Sequence, residues 1–254
     1  MAPPAKAGAG QRCQAPENLL RFKAPLPRLA SAVSSGKPVR IVALGSSSTQ
    51  GVGASKPDFA YPRKLQSELR RRYPDRKITV ENLGVGGQLA SDMLVRIKKD
   101  VLPRRPALVI WQTGVNDAMR HVDINDFRET VLKGIDELKE KNIDVVLLDM
   151  QYFPRSEKIR GFARYVVAMQ EIAAGRKVPI LRRFAIMKHM VKTAQFTPQQ
   201  LLARDLFHPN DVTYGCMGRI LADALQGDIS GQQFAKYPPA DGKPVKSVSA
   251  SSVR

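Results

Sequence analysis

Five short apolar runs recur along the chain: Val39–Leu44, Lys77–Leu83, Ala107–Gln112, Ile143–Leu148 and Val178–Leu181. Rich in valine, isoleucine and leucine and bounded by glycine or polar residues, they predict buried strands. Between them the apolar positions switch to helical spacing. Tyr61, Leu65 and Leu69 recur every four residues while Arg63, Lys64, Arg70 and Arg71 take the other faces, and Pro74-Asp75 closes the segment. That is the pattern of an amphipathic helix lying on a sheet. Phe127, Val131, Ile135 and Leu138 repeat it within a helix expected over Asp126–Lys139, and further helices are expected over Leu89–Lys99 and Ile159–Ala174. Shorter pieces cover Ala185–Val191 and Pro198–Ala203, and a last helix runs to about Leu225.

Strands and helices that alternate with short connections predict an α/β fold with a five-stranded parallel sheet covered on both faces. Right-handed crossovers then place every strand-to-helix loop at one edge of the sheet. The consequence is that Ser46–Ser48, Gly84–Gly87 and Gly114–Asn116 share one rim, though they are distant in sequence. Three units follow: an irregular arm over residues 1–38, rich in Ala, Pro, Gly and Ser; the α/β domain over 39–226; and a basic tail over 227–254, for which disorder is expected.

The formal charge of +18 is not a property of the ends alone, because most of the excess lies between them. Such a field attracts polyanions in general, so a polyanionic surface partner is one expectation, but no zinc-finger, basic-zipper or RNP pattern points to specific nucleic-acid binding. No window approaches the ~20 apolar residues of a membrane span. The first ten residues lack the apolar core of a secretory signal, so either the protein stays inside or a leader has been removed. Cys13 and Cys216 match no metal or redox spacing. They are either two thiols in a reducing compartment or one bridge in an oxidising one. We expect the bridge, tying the arm to the last helix, and with it a periplasmic or secreted location, the alternative being cytoplasmic.

The rim carries the elements of acyl transfer. A serine needs a base, and the base needs an orienting group. Of the three histidines, His189 sits in a Met-flanked helical segment and reads as packed structure, whereas His121 lies near the rim and is a minor candidate. His208 follows Asp205 by three residues and precedes Pro209; one turn of chain lets the carboxylate reach Nδ1–H and leaves Nε2 for a serine. The glycine-rich turn offers backbone N–H groups and Asn116 an amide to a developing oxyanion. No Gly-x-Ser-x-Gly elbow, Gly-x-Gly-x-x-Gly or P-loop competes with this assignment.

Gly45-Ser46-Ser47-Ser48-Thr49-Gln50-Gly51 resembles the first block of the SGNH/GDSL hydrolases, with its serine third. Asn82-Leu83-Gly84-Val85-Gly86-Gly87 resembles the second block, Gly114-Val115-Asn116-Asp117 the third, and Asp205-Leu206-Phe207-His208-Pro209-Asn210-Asp211 the last. All four stand in the family's order, and the resemblance covers about residues 39–226. It implies a flavodoxin-like three-layer α/β/α sandwich. It also implies Ser47 as nucleophile, Asp205 and His208 as the rest of the triad, and an oxyanion hole from Gly87 N–H, the Asn116 side chain and Ser47 N–H. Ser46 occupies the place of the family's loop-supporting aspartate. The resemblance further implies a serine esterase needing neither cofactor nor metal, in a family whose members cleave acetyl groups from glycans, acyl chains from lysophospholipids and thioesters, and esters of simple alcohols. A short acyl group such as O-acetyl on carbohydrate is expected here because no long apolar lid segment is apparent for a lipid chain. The alternatives are a lysophospholipase, thioesterase or acyltransferase with the same triad, or, in another class, a non-catalytic polyanion-binding protein on this scaffold.

Overall fold

The computed structural model describes residues 13–229. Its centre is an all-parallel sheet of β1 (Val39–Gly45), β2 (Ile78–Gly84), β3 (Leu108–Gln112), β4 (Asp144–Leu148) and β5 (Ile180–Leu181), in the order β2-β1-β3-β4-β5. All of β3 and nearly all of β1 are buried. Strands covered on both faces lose the alternation of apolar and polar residues, which is why these segments read as continuous apolar runs.

The helices, numbered in chain order, are α1 (Glu17–Leu20), α2 (Pro27–Ser34), α3 (Ser47–Gln50), α4 (Tyr61–Arg72), α5 (Ala90–Arg96), α6 (Val115–Met119), α7 (Ile124–Glu140), α8 (Phe162–Arg176), α9 (Arg183–Lys192), α10 (Pro198–Leu201) and α11 (Asp211–Ile229). α2, α4 and α11 pack together on one side of the sheet, and α5, α7 and α8 on the other. The faces buried are those the periodicity marks: Tyr61, Leu65 and Leu69 on α4, and Phe127, Val131, Ile135 and Leu138 on α7. Asp123 caps α7 by accepting the Asn125 N–H at 2.8 Å. The flavodoxin-like three-layer architecture expected from the chain is the one observed.

The segment expected to be irregular holds two helices within its described part. Leu20, Leu26, Leu29 and Val33 are buried against the core. Pro27 opens α2, and the Asp144 carboxylate at the start of β4 accepts the N–H groups of Arg28 (2.8 Å) and Leu29 (2.9 Å). The helix is thus capped by a residue more than a hundred positions away, a signal that no local pattern contains. The tail beyond residue 229 lies outside the described residues.

Cys13 and Cys216 are joined by a disulfide, with their Cα atoms 5.6 Å apart and a sequence separation of 203. Closing so long a loop removes about 5 kcal/mol of chain entropy from the unfolded state in the entropic model. Denaturation in urea with and without reductant measures this. The reduced protein is expected to unfold several kcal/mol sooner, and identical midpoints would show that the bridge contributes nothing.

Candidate active site

The strand order reverses direction between β1 and β3, leaving a crevice beyond their carboxyl ends. β1 runs through Gly45 into the single turn of α3, so Ser47 stands at the first position of a short helix over the crevice. β3 runs through Gly114 into α6, which presents Asn116. The third component comes from the turn before α11.

That turn is built around Asp205. One carboxylate oxygen accepts the backbone N–H groups of Phe207 and His208, each at 3.0 Å, and the other lies 2.5 Å from His208 Nδ1. Nε2 of the same ring is 2.9 Å from Ser47 Oγ. Partial burial pushes the Asp205 carboxyl up, but the bonds from the His208 ring and the two N–H groups, together with the attraction of the imidazole, hold it below its ordinary value. The carboxylate therefore stays ionised at neutral pH and fixes Nδ1 as the donor nitrogen, leaving Nε2 to accept from Ser47.

Several contacts clamp the His208 turn to the segment after Ser47. Gly53 has φ +91°, and a Cβ there would lie 2.4 Å from the Pro209 carbonyl and 3.1 Å from His208 Cβ, so only glycine lets the two loops approach so closely. Asp211 accepts from Ser55 N (2.8 Å) and Oγ (2.6 Å), and Tyr214 Oη donates to the Val52 carbonyl at 2.6 Å. The Phe207 ring meets His208 edge-on at 4.7 Å and Phe153 at 4.8 Å, which backs the imidazole with aromatic surface.

On the other side of Ser47 lies the glycine-rich turn. A Cβ added to Gly86 would be 3.9 Å from that of Ser47. Gln50 Oε1 accepts the Gly86 N–H at 2.9 Å, while the N–H groups of Ser47 and Gly87 donate to no group among the described residues. Asn116 Nδ2 spends one hydrogen on the Gln88 carbonyl at 2.7 Å and keeps the other. Two free backbone donors and a tethered amide donor thus accompany the serine. Asp117, beside Asn116, is buried and accepts the Ala90 N–H at 3.0 Å, pinning α5 to α6.

The five residues singled out in the sequence, Ser47, Gly87, Asn116, Asp205 and His208, therefore gather at one crevice. His121 lies just past α6 as an exposed residue, His189 lies within α9, and neither side chain hydrogen-bonds to this relay among the described residues. Sequence reasoning missed the buried layer beneath: Gln112, Asp149, Gln151 and Arg183, all at carboxyl ends of strands or just beyond. Their signal was only that polar side chains interrupt apolar runs.

Within that layer, burial pushes the Asp149 carboxyl up to about 7 against the pull of the Phe184 N–H and of Arg183 and Arg182. The folded protein accordingly holds a proton on Asp149 that the unfolded chain releases near pH 4, so the contribution of Asp149 to stability declines as pH rises from about 4 to about 7 and is level above that. Asp149→Asn should remove this share of the pH dependence and leave that of the other raised carboxyls, Asp117, Asp144 and Asp228. Melting temperatures of both proteins across that range test it, and a constant offset between them would contradict it.

The arrangement is the one that the four sequence blocks imply. A family model matches residues 12–230, and the chain belongs to the non-GDSL lipase-like family. An acetylxylan esterase of Geobacillus stearothermophilus is 24% identical over 155 residues, covering 56% of this chain and 69% of that enzyme. Among solved structures, a two-domain esterase active on acetylated mannans superposes with a TM-score of 0.71 at 21% identity. The match covers 89% of this chain but 60% of the esterase, so the chain spans less than two thirds of that protein. An acetyl xylan esterase gives a TM-score of 0.61 at 22% identity over 74% of this chain and 98% of its own. At these identities the structural likeness establishes the fold.

Proposed function

We propose that this protein is a serine esterase that removes short acyl groups, acetyl above all, from carbohydrate through an acyl-enzyme on Ser47. The observation that carries the proposal is the continuous relay from Ser47 Oγ through His208 to Asp205, set at the switch point of the sheet. His208 Nε2 takes the Ser47 proton as Oγ attacks the ester carbonyl, and the oxyanion is met by Gly87 N–H, Ser47 N–H and the free hydrogen of Asn116 Nδ2. Collapse breaks the bond to the sugar oxygen, which leaves with the proton from His208. Water, deprotonated by the same nitrogen, then attacks the acyl-enzyme and releases the carboxylic acid and free Ser47.

The names of the relatives support acetylated glycans as the substrate class, since they act on acetylated xylan and mannan. The catalytic unit is residues 39–226, with the arm as a brace held by the disulfide. That bridge supports a periplasmic or secreted location, where it persists. Acetate release from acetylated xylan and mannan oligosaccharides, compared with hydrolysis of a lysophospholipid and an acyl thioester, tests the substrate assignment. Higher kcat/KM on the glycans is expected, and preference for either lipid-type substrate would overturn it.

A further inference from the structure

Four consecutive hydroxyl residues follow Gly45, and the structure gives them different tasks. Ser47 Oγ faces His208, while the other three are tied to groups beneath the loop. Two of these ties converge on one atom. Gln112, the last residue of β3, is wholly buried, and its Oε1 accepts from Ser46 N at 3.1 Å, Ser46 Oγ at 3.2 Å and Thr49 Oγ1 at 3.0 Å. The backbone N–H of Ser46 can only donate, so the amide must present its oxygen here and not its nitrogen. Ser48 Oγ in turn accepts from the buried Arg183 guanidinium at 3.1 Å, whose other nitrogens donate to the Asp149 carbonyl (2.9 Å) and Gln151 Oε1 (3.1 Å).

Gly45 completes the device. A Cβ at this position would fall 2.1 Å from Thr49 Oγ1 and 2.9 Å from Gln112 Oε1, so the absence of a side chain is what opens the space in which the two meet. The position before the nucleophile, where SGNH/GDSL hydrolases resembling this chain carry an aspartate, holds a neutral serine. A serine is too short to bind across the whole loop, and it acts here as a donor instead. The acceptor comes from the neighbouring strand.

We infer that Gln112 is a positioning residue for the nucleophile, its single amide oxygen replacing the motif's carboxylate by gripping the residues on both sides of Ser47. This rests on the esterase assignment above. Gln112 touches no reacting atom. It fixes the backbone of residues 46–49, and therefore the direction in which Ser47 Oγ points at His208 and at the acyl carbon.

Displacing a nucleophile by about 1 Å costs on the order of 10²-fold in rate. Gln112→Met keeps the length of the side chain and removes the acceptor. The folded variant is expected to lose about 10- to 100-fold in kcat for 4-nitrophenyl acetate with KM held within about twofold, and to lose a similar factor in the rate of Ser47 labelling by a fluorophosphonate. Thr49→Val deletes one of the three bonds from the loop side. It should lower kcat in the wild type and have little further effect in Gln112→Met, because the two changes break the same contact. Should Gln112→Met fail to fold, Thr49→Val and Ser46→Ala/Thr49→Val carry the test by the same kcat criterion. An active wild type with unchanged kcat in the folded variants overturns the positioning role alone. A wild type that neither turns over ester nor reacts with the probe overturns the esterase assignment and this inference with it.

Discussion

Ser47→Ala should lower kcat for a short nitrophenyl ester by about 10⁴- to 10⁶-fold, to the residual rate that an oxyanion site and substrate binding sustain by themselves. The reason is positional as well as chemical. The described structure places one hydroxyl on His208 Nε2, at 2.9 Å, whereas its neighbours Ser46, Ser48 and Thr49 are turned to Gln112 and Arg183 beneath the loop. None of the three can take over the attack without abandoning those bonds. The fold should not suffer. Ser47 Oγ makes one side-chain hydrogen bond, and losing it changes stability by about 1 kcal/mol. Turnover by purified Ser47→Ala, with a far-UV spectrum and melting temperature matching the parent, separates the effect on chemistry from any effect on folding. Retained activity would remove Ser47 from the mechanism.

Removal of the Asn116 amide should have the second largest effect, a loss of about 10²- to 10³-fold in kcat, the cost of one oxyanion donor. In Asn116→Ala both the free hydrogen and the tether to the Gln88 carbonyl disappear, so the turn carrying Gly87 loses a hold at the same time. Asn116→Asp also lacks both donors. It keeps the size of the side chain but sets a carboxylate against the Gln88 carbonyl and against the developing oxyanion, so it should be at least as damaging as alanine. KM should change far less than kcat in both variants, because the interaction forms in the transition state. A variant with normal kcat and raised KM would place Asn116 in substrate binding instead.

Much of this architecture was legible before any coordinates. The β1, β3 and β4 strands lie within a residue or so of the apolar runs because burial on both faces leaves few polar residues to blur them, and β2, at the sheet edge, shows itself by alternating buried Ile78 and Val80 with polar residues. Three of the motif blocks kept their meaning because each sits where a strand gives way to a turn or a helix, and the parallel sheet brings those places to one rim; the fourth is the turn between α10 and α11, whose Asp-x-x-His spacing is local. What escaped was tertiary. α2 has no N-cap of its own and borrows Asp144 from β4; its Leu26, Leu29 and Val33 lie among alanines and serines that read as an arm. α3 and α6 are single turns, formed where the chain leaves the sheet and not because Ser-Ser-Thr-Gln or Val-Asn-Asp-Ala-Met favours a helix. Gln112 and Arg183 looked like a strand end and one of many basic residues. Their significance depends on facing Ser46, Thr49 and Ser48, residues 63 to 135 positions away.

That arrangement also explains how the chain can depart from the Gly-Asp-Ser pattern and keep a serine aimed at a histidine. The support for the loop has moved from the loop to the sheet.

The central claim is that Ser47 is the nucleophile, activated by His208 and Asp205. Its most direct test is to treat the intact protein with a fluorophosphonate and locate the adduct by peptide mass spectrometry. The account predicts one adduct per chain, on Ser47, absent in Ser47→Ala and strongly slowed in His208→Ala. An active protein that remains unlabelled, or that carries its adduct on any other residue, would contradict it.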